Sequence, residues 1–196
     1  SGWLVEGVVA ADLDAVKRIV VGKIAAACSD LEPYYSYAVT TETLDASKGN
    51  YRPVSLNRHD TFKTTNAYGG YGRSLYPIVW FDSRPERETA NILEGDDSIE
   101  VWVRLQIGDT PIPWRGRKYQ PDFLVITKAG KHYMIEVKAD SALDTNEVTA
   151  KHAAALIWAN RVADAGLGDW TYLLIPEAAV EKSKLLRHLV TSSRKP

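Results

Sequence analysis

Residues 119–138 read YQPDFLVITKAGKHYMIEVK, and this stretch decides the fold of the 196-residue chain. Two apolar runs are separated by KAGK at 128–131, a composition typical of a tight turn between neighbouring strands. We therefore predict two adjacent strands, Tyr119–Thr127 and His132–Lys138.

Three ionisable residues, Asp122, Glu136 and Lys138, lie within these apolar strands. Successive side chains of a strand point to opposite faces, so Glu136 and Lys138 share one face while Ile135 and Val137 share the other. An ionised carboxylate in apolar surroundings is costly unless it is paired or bound to a cation. Because the turn makes the strands neighbours, we expect the three charged groups to converge at one edge of the sheet.

Two carboxylates and a lysine in one place suit a hard divalent cation. Mg²⁺ commonly takes one or two protein carboxylates together with waters and phosphate oxygens. The ligands offered here are Asp122, Glu136 and the backbone carbonyl of Val137. Lys138 would orient, or help to deprotonate, the water that attacks a phosphodiester. The pattern therefore favours Mg²⁺-dependent hydrolysis of a phosphodiester, and Mn²⁺ is expected to substitute for Mg²⁺.

Further strands and helices surround the hairpin. Alternating apolar residues predict strands, and helical spacing with capping and stop residues predicts helices. The predicted elements are a helix over 84–94, a strand Ile99–Leu105, a connection over 108–118, the two hairpin strands, a helix Thr145–Ala165, a strand Trp170–Ile175 and a helix Glu177–Val190. Their order, α-β-β-β-α-β-α, predicts an α/β fold in which helices flank a mixed sheet on both faces.

The chain divides into two unlike parts. Residues 1–77 are predicted to form an N-terminal helix, from about Val8 to Leu31, followed by an irregular extension. Within that extension, 66–73 is a loop by composition, because it is rich in Gly and Tyr. Residues 78–196 hold the predicted core and the C-terminal helix.

Composition excludes several classes of protein. With 45% hydrophobic residues, six Trp and ten Tyr, the chain is not a disordered one. The lone Cys28 excludes a disulfide scaffold and fits a reducing compartment, so we expect a cytoplasmic protein. No apolar run approaches the ~18 residues of a membrane span, so no membrane partner is expected. The start at Ser1, with no initiator Met, indicates a piece of a longer protein.

Charge is segregated along the chain although the net charge is only −1. Residues 86–100 carry six acids and one base, whereas residues 101–131 carry six bases and two acids. A polyanion partner is therefore allowed locally, and solvated polar faces explain most of these charges equally well. The basic residues Arg115, Arg117 and Lys118 either grip phosphates or belong to a plain polar loop. Arg73, in the Tyr/Gly segment, either contacts unpaired bases or lies in an Ω-loop with no partner.

The spacing Pro121-Asp122, thirteen residues, then Glu136-Val137-Lys138 resembles the PD-(D/E)XK nuclease superfamily. That superfamily has the α-β-β-β-α-β core, so the resemblance implies a restriction-endonuclease-like fold. Residues 81–87 and 101–104 look like the nuclease domain that ends type III-like restriction subunits and related helicase–nuclease proteins. In those proteins a helical Glu joins the active site, which implies that role for Glu86. A helical Lys that approaches DNA or the active site maps onto Lys151.

Two hypotheses follow from different classes. The first is a Mg²⁺-dependent DNA endonuclease domain of a restriction, defence or helicase–nuclease system. An ATP-driven motor would lie on the same parent chain or on a partner subunit, because this sequence contains no phosphate-binding GxxxxGK[ST] loop. Cleavage of both strands would call for two copies, as in a homodimer. The second is a non-catalytic module that uses the same fold to hold DNA or a partner subunit.

Overall fold

The structure is a computed structural model. The residues that it describes are 4–6, 36–38, 52–106, 109, 112–114 and 117–194. The predicted helix at about 8–31 lies outside them. Within them, no helix is both long enough and apolar enough to cross a membrane.

Eleven strands and four helices make up the described part of the chain. The strands are β1 (Leu4–Glu6), β2 (Ser36–Ala38), β3 (Val54–Ser55), β4 (Ala67–Tyr68), β5 (Val79–Trp80), β6 (Ile99–Arg104), β7 (Ile112–Trp114), β8 (Arg117–Tyr119), β9 (Phe123–Thr127), β10 (His132–Lys138) and β11 (Trp170–Pro176). The helices are α1 (Arg84–Gly95), α2 (Asn146–Asp164), α3 (Glu177–Lys182) and α4 (Leu186–Ser192).

The central sheet has four strands in the order β11-β10-β9-β6. β10 runs parallel to β11 and antiparallel to β9, and β9 runs antiparallel to β6. One face, with Ile135 and Val137, is buried in a core that includes residues of α1, α3 and α4. The other face, with Met134, is buried in a second core with α2. The predicted mixed sheet flanked by helices on both faces is confirmed.

Helix α1 begins with a reciprocal cap, as its sequence predicts. The Ser83 hydroxyl accepts a hydrogen bond from the Glu86 backbone N–H at 3.3 Å and donates one to the Glu86 carboxylate at 3.0 Å. Pro85 occupies the first turn, where no N–H is needed. This cap fixes Glu86 at the edge of the sheet.

The predicted strand Tyr119–Thr127 is wrong in its first part. Arg117–Tyr119 pairs with Ile112–Trp114 in a separate two-stranded hairpin, β7–β8, and only Phe123–Thr127 belongs to the central sheet. The chain changes partner at Gln120–Asp122, where Pro121 has no N–H to give to a ladder. The prediction of a connection without strands over 108–118 is also wrong, because that region contains β7 and the first two residues of β8.

The predicted single helix Glu177–Val190 is also wrong. The chain forms α3 and α4 instead, with an extended Leu185 between them. The Leu186 N–H donates to the Asp96 carboxylate at 2.8 Å, and Leu186 and Leu189 are buried in the core. The break lets both leucine side chains pack into the core. The free energy gained by burying them exceeds the free energy lost by interrupting the helix.

Residues 62–76 contribute buried side chains to the same core as the central sheet. Ala67–Tyr68 forms the middle strand of a small sheet with β3 and β5. Tyr68, Tyr71 and Tyr76 are buried, and the Tyr71 ring meets the Trp102 ring edge-on at 5.1 Å. The prediction of a loop over 66–73 is therefore wrong at β4 and holds for 69–73, which form no strand or helix. Whether this segment is an Ω-loop with no partner stays a prediction. The buried rings of Tyr68 and Tyr71 offer no face to an unpaired base.

Three acids of the 86–100 stretch, Glu86, Glu94 and Asp96, are buried rather than solvated. Glu94 accepts from the backbone N–H groups of Gly72 and Arg73 and, at 3.0 Å, from Trp102 Nε1. The interpretation of this stretch as a solvated face is wrong for these three. Glu94 instead ties the segment before α1 to both α1 and β6.

We expect Glu94→Ala to destabilise the protein by about 3 kcal/mol, because it leaves several buried donors without an acceptor. Urea unfolding followed by circular dichroism measures the change. Glu100→Ala, at an exposed position in β6, is the control and is expected to change stability by less than about 0.5 kcal/mol. Equal effects of the two substitutions would contradict the assigned role of Glu94.

Candidate active site

Asp122 is held at the point where β9 begins. Its backbone N–H donates to the Ile135 carbonyl at 3.0 Å, and its carboxylate Oδ2 accepts from the Val137 N–H at 2.8 Å. The β9–β10 ladder ends at the Phe123–Ile135 pair, and Asp122, one residue before it, still bonds to the Ile135 carbonyl. Among the neighbouring charges, that of Glu136 raises the pKa of Asp122 the most. The structure therefore places Asp122 close to Glu136 at the end of this ladder.

The Val137 carbonyl points to the β9 side of β10, the side on which Asp122 lies. The N–H and C=O groups of one strand residue point to the same side, and the Val137 N–H points to Asp122. The ladder with β9 ends at Ile135, so β9 supplies no backbone donor opposite Val137. The backbone oxygen is thus directed to the place where the two carboxylates meet.

Glu136 is buried and contacts both a cation and a phenol. Its Oε1 lies 2.5 Å from Lys138 Nζ, and its Oε2 accepts from the Tyr119 hydroxyl at 3.2 Å. The Tyr119 and Tyr172 hydroxyls are 3.1 Å apart. The structure therefore brings Asp122, Glu136 and Lys138 together, and it adds a tyrosine pair.

The two carboxylates carry charge that is poorly compensated. Burial, with the charge of Glu136 next in importance, raises the pKa of Asp122 well above its ordinary value. Burial also raises the pKa of Glu136, although Lys138 and Tyr119 partly oppose the change. Both shifts mean that the protein alone does not fully stabilise the ionised pair.

Lys138 and Tyr119 keep their protons in this environment. Burial by itself would lower the pKa of Lys138, but the nearby Glu136 carboxylate reverses the effect and raises it. Burial, followed by the charge of Glu136, raises the pKa of Tyr119 well above its ordinary value. Both groups are therefore hydrogen-bond donors to Glu136 at neutral pH.

Glu86 reaches this cluster through Arg104. Arg104 Nη2 lies 2.8 Å from Glu86 Oε2, 3.2 Å from Asp82 Oδ2 and 3.8 Å from Asp122 Oδ1. The Arg104 guanidinium also lies over the Phe123 ring, 5.9 Å from its centroid. Arg104 thus stands between Glu86 and Asp122, and Glu86 is linked to the site indirectly.

Arg104, Tyr119 and Tyr172 are the site residues that the sequence did not single out. Arg104 ends a strand, where an arginine usually meets solvent, and its partners come from a helix eighteen residues away. Tyr119 stands three residues before Asp122 and looks like an ordinary apolar strand residue. The proximity of an aromatic hydroxyl to a buried acid is the only available signal, and it is a weak one.

Lys151 lies on the α2 side of the site. Its Nζ is 2.6 Å from Glu147 Oε1 and 5.7 Å from the centroid of the Tyr119 ring. Its charge lowers the pKa of Glu136, although less than Lys138 does. The structure therefore places Lys151 beside Tyr119, with its charge felt at Glu136.

Of the other sequence-predicted contact residues, the structure describes the side chains of Lys118 and Arg73. Lys118 is exposed in β8, the side chain of Arg117 lies outside the described part, and Arg115 lies wholly outside it. Arg73 Nη2 pairs with Asp97 at 2.7 Å, and Arg73 Nη1 donates to the Glu94 carbonyl at the end of α1. Arg73 is thus engaged with α1.

The donor set at the strand ends fits a hard cation. It consists of two carboxylates and one backbone carbonyl, and Mg²⁺ commonly completes such a set with water. In the part of the chain that the structure describes, no group of three or more His, Cys, Asp or Glu side chains is placed to hold a metal ion. A metal here would therefore depend on Asp122, Glu136 and the Val137 carbonyl.

The α-β-β-β-α-β core, with two acids and a lysine on adjoining strands, is consistent with a restriction-endonuclease-like fold. Residues 72–161 match the family model of an endonuclease domain. The matched stretch runs from the segment before α1 through most of α2, so it contains every residue of the site except Tyr172. This supports a nuclease function and agrees with the sequence resemblance at the level of a restriction-endonuclease-like family. A comparison with curated proteins finds no match.

Proposed function

We propose that this chain is a Mg²⁺-dependent DNA endonuclease domain. The observation that carries the proposal is the meeting of Asp122 and Glu136 at adjacent strand ends, with Lys138 Nζ 2.5 Å from Glu136. The match to an endonuclease domain supports it independently.

The charge of the cluster supports a divalent cation. Three buried carboxylates, Glu86, Asp122 and Glu136, face two cations, Arg104 and Lys138, so one negative charge is left over. Lys151 is left out of this count because it pairs with Glu147, and Asp82 because its side chain is exposed. A divalent cation together with one phosphodiester adds a net charge of +1, which balances the cluster. The raised pKa values of Asp122 and Glu136 have the same origin, because burial makes the excess negative charge costly.

In this proposal each residue has a definite part. Asp122, Glu136 and the Val137 carbonyl would hold Mg²⁺, which supplies Lewis acidity to the phosphate and to the attacking water. Lys138 donates to Glu136 and is therefore an ammonium, so it orients the water and stabilises negative charge on the phosphate rather than accepting a proton. Glu86 keeps Arg104 beside Asp122, which gives it a supporting part.

The proposed DNA path runs along the α2 side. Lys151 stands beside the site, and β8 leads directly into Asp122 and contains Arg117 and Lys118. Arg115, which lies outside the described residues, is proposed to contribute on the ground of its sequence position alone. Phosphates bind such groups without regard to sequence. The resemblance to type III-like nuclease domains leads us to propose a restriction or defence setting, a cytoplasmic location, an ATP-driven motor elsewhere and a homodimer for cleavage of both strands.

The test uses supercoiled plasmid DNA. The purified chain is incubated with plasmid and Mg²⁺ or Mn²⁺, with and without EDTA, and Asp122→Ala is run in parallel. We expect nicked or linear DNA with either metal, and no cleavage with EDTA or with the variant.

Binding data decide between cleavage and the non-catalytic alternative. If the parent chain does not cut, calorimetric titration with Mn²⁺ shows whether a metal binds in a manner that depends on Asp122. DNA binding without cleavage and without Asp122-dependent metal binding would favour the module that only holds DNA or a partner.

A further inference from the structure

Two buried tyrosines, Tyr172 and Tyr119, form a hydrogen-bonded chain that ends on the carboxylate of Glu136. The Tyr119 hydroxyl donates to Glu136 Oε2 at 3.2 Å, and the Tyr172 hydroxyl lies 3.1 Å from the Tyr119 hydroxyl. Tyr119 is 3% exposed and Tyr172 is 7% exposed. Neither residue belongs to the motif that carries the family resemblance.

The direction of these hydrogen bonds follows from the number of protons. A phenol has one O–H to donate. Tyr119 gives its proton to Glu136, so in the contact between the two hydroxyls Tyr172 is the donor and Tyr119 the acceptor. The result is a directed chain from Tyr172 through Tyr119 to Glu136, and its members come from β11, β8 and β10.

The tyrosine chain engages only one oxygen of the carboxylate. Tyr119, a neutral donor, holds Oε2, whereas Oε1 is paired with Lys138. A neutral donor fixes the orientation of the carboxylate and adds no positive charge that would repel a metal ion. Groups that hydrogen-bond to a metal ligand in this way orient the ligand and tune its affinity.

We propose that Tyr119 is a positioning residue for the metal ligand Glu136, and that Tyr172 supports it through the hydroxyl pair. The inference rests on the proposed function, because it requires that Glu136 bind a metal. Tyr119 acts on the reaction through Glu136 and does not itself touch the substrate.

The test is Mn²⁺ binding by calorimetry with single-hydroxyl deletions. Tyr119→Phe keeps the ring that Lys151 contacts and removes only the oxygen. We expect it to raise the Kd for Mn²⁺ about tenfold, and Tyr172→Phe to raise it about threefold, as outer groups of metal sites typically do. Tyr71→Phe is the matched control, since it removes a buried hydroxyl on the opposite face of the sheet, and we expect its Kd to equal that of the parent.

Urea unfolding without metal separates positioning from general stability. Tyr119→Phe and Tyr71→Phe are expected to shift the unfolding midpoint by similar amounts, whereas only Tyr119→Phe weakens Mn²⁺ binding. If the parent binds Mn²⁺ and Tyr119→Phe binds it equally well, the inference is overturned and the proposed function stands. If Tyr119→Phe does not fold, an unchanged Kd in Tyr172→Phe overturns it. A parent that binds no Mn²⁺ overturns both.

Discussion

Lys138→Gln is expected to slow plasmid cleavage about 10³-fold while the fold stays intact. The lysine ends β10 and is partly exposed, so its side chain is not part of either core. The glutamine amide can still donate to Glu136, and the substitution therefore removes the positive charge with little loss of packing. The effect should appear in the rate of cleavage at saturating DNA, because the charge stabilises the reacting phosphate more than the bound ground state.

The matched control for this change is Lys131→Gln. Lys131 is an exposed lysine in the turn of the same hairpin, seven residues from Lys138. Cleavage by this variant should equal that of the parent within experimental error. A Lys138→Gln protein that cleaves at the parental rate would remove Lys138 from the proposed catalytic set, and equal losses in both variants would point to general electrostatic attraction of DNA.

Asp122→Asn is expected to abolish cleavage and, without metal, to stabilise the protein by about 1–3 kcal/mol at neutral pH. The asparagine carbonyl can still accept from the Val137 N–H, so the local hydrogen bond survives. The variant loses a buried charge that lies opposite a second carboxylate. A gain in stability with a loss of activity is typical of functional sites that keep unfavourable charge.

The pH dependence of this gain has a defined sign. The pKa of Asp122 is raised in the folded state, by burial first and by Glu136 second, so folding favours the protonated form. The parent therefore loses stability as pH rises from the ordinary carboxyl range up to the raised pKa. Below that range Asp122 is protonated in both states and the variant has no advantage. Asp96, whose pKa is lowered because its hydrogen bonds outweigh its burial, is present in both proteins, and its effect cancels in the difference.

Urea unfolding at a series of pH values, with and without Mg²⁺, measures both effects. The difference between Asp122→Asn and the parent should grow with pH in the absence of metal. Added Mg²⁺ should stabilise the parent, by about 2.7 kcal/mol at a hundredfold excess over Kd, and leave the variant unchanged. Asp144→Asn, which removes an exposed carboxylate, is the control. A parent that is more stable than Asp122→Asn at every pH would contradict the charge imbalance.

The central sheet was predictable because local patterns and long-range packing agree there. Alternation in His132–Lys138 places apolar residues in both cores, and the β9–β10 turn is short enough for the register to follow. That register brings the start of β9, next to Asp122, to the end of β10, where Glu136 and Lys138 lie. Helix α1 was predictable from Ser83 and Pro85, since its cap is a local interaction.

The rest depends on contacts between distant parts of the chain. The Glu177–Val190 pattern suits one helix, and the break accompanies contacts with distant residues. Leu186 and Leu189 enter the core, and Asp96, ninety residues earlier, accepts from the Leu186 N–H. Arg104 likewise belongs to the site because α1 brings Glu86 to it. Sequence pattern and spacing contain no information about such partners. The sequence therefore predicted the motif residues and missed Arg104 and Tyr119, which hold and orient the motif's carboxylates.

The close packing of Phe62, Tyr68 and Tyr71 against the first core helix bears on how this domain could be joined to other modules. The Arg87 guanidinium lies 5.4 and 5.5 Å from the ring centroids of Phe62 and Tyr68, so residues 62–71 cover part of α1. A chimaera that begins at residue 72, where the family match starts, would strip this cover and leave Phe81 and Trp102 open to water. Grafting onto a foreign DNA-recognition domain should therefore begin upstream of Phe62.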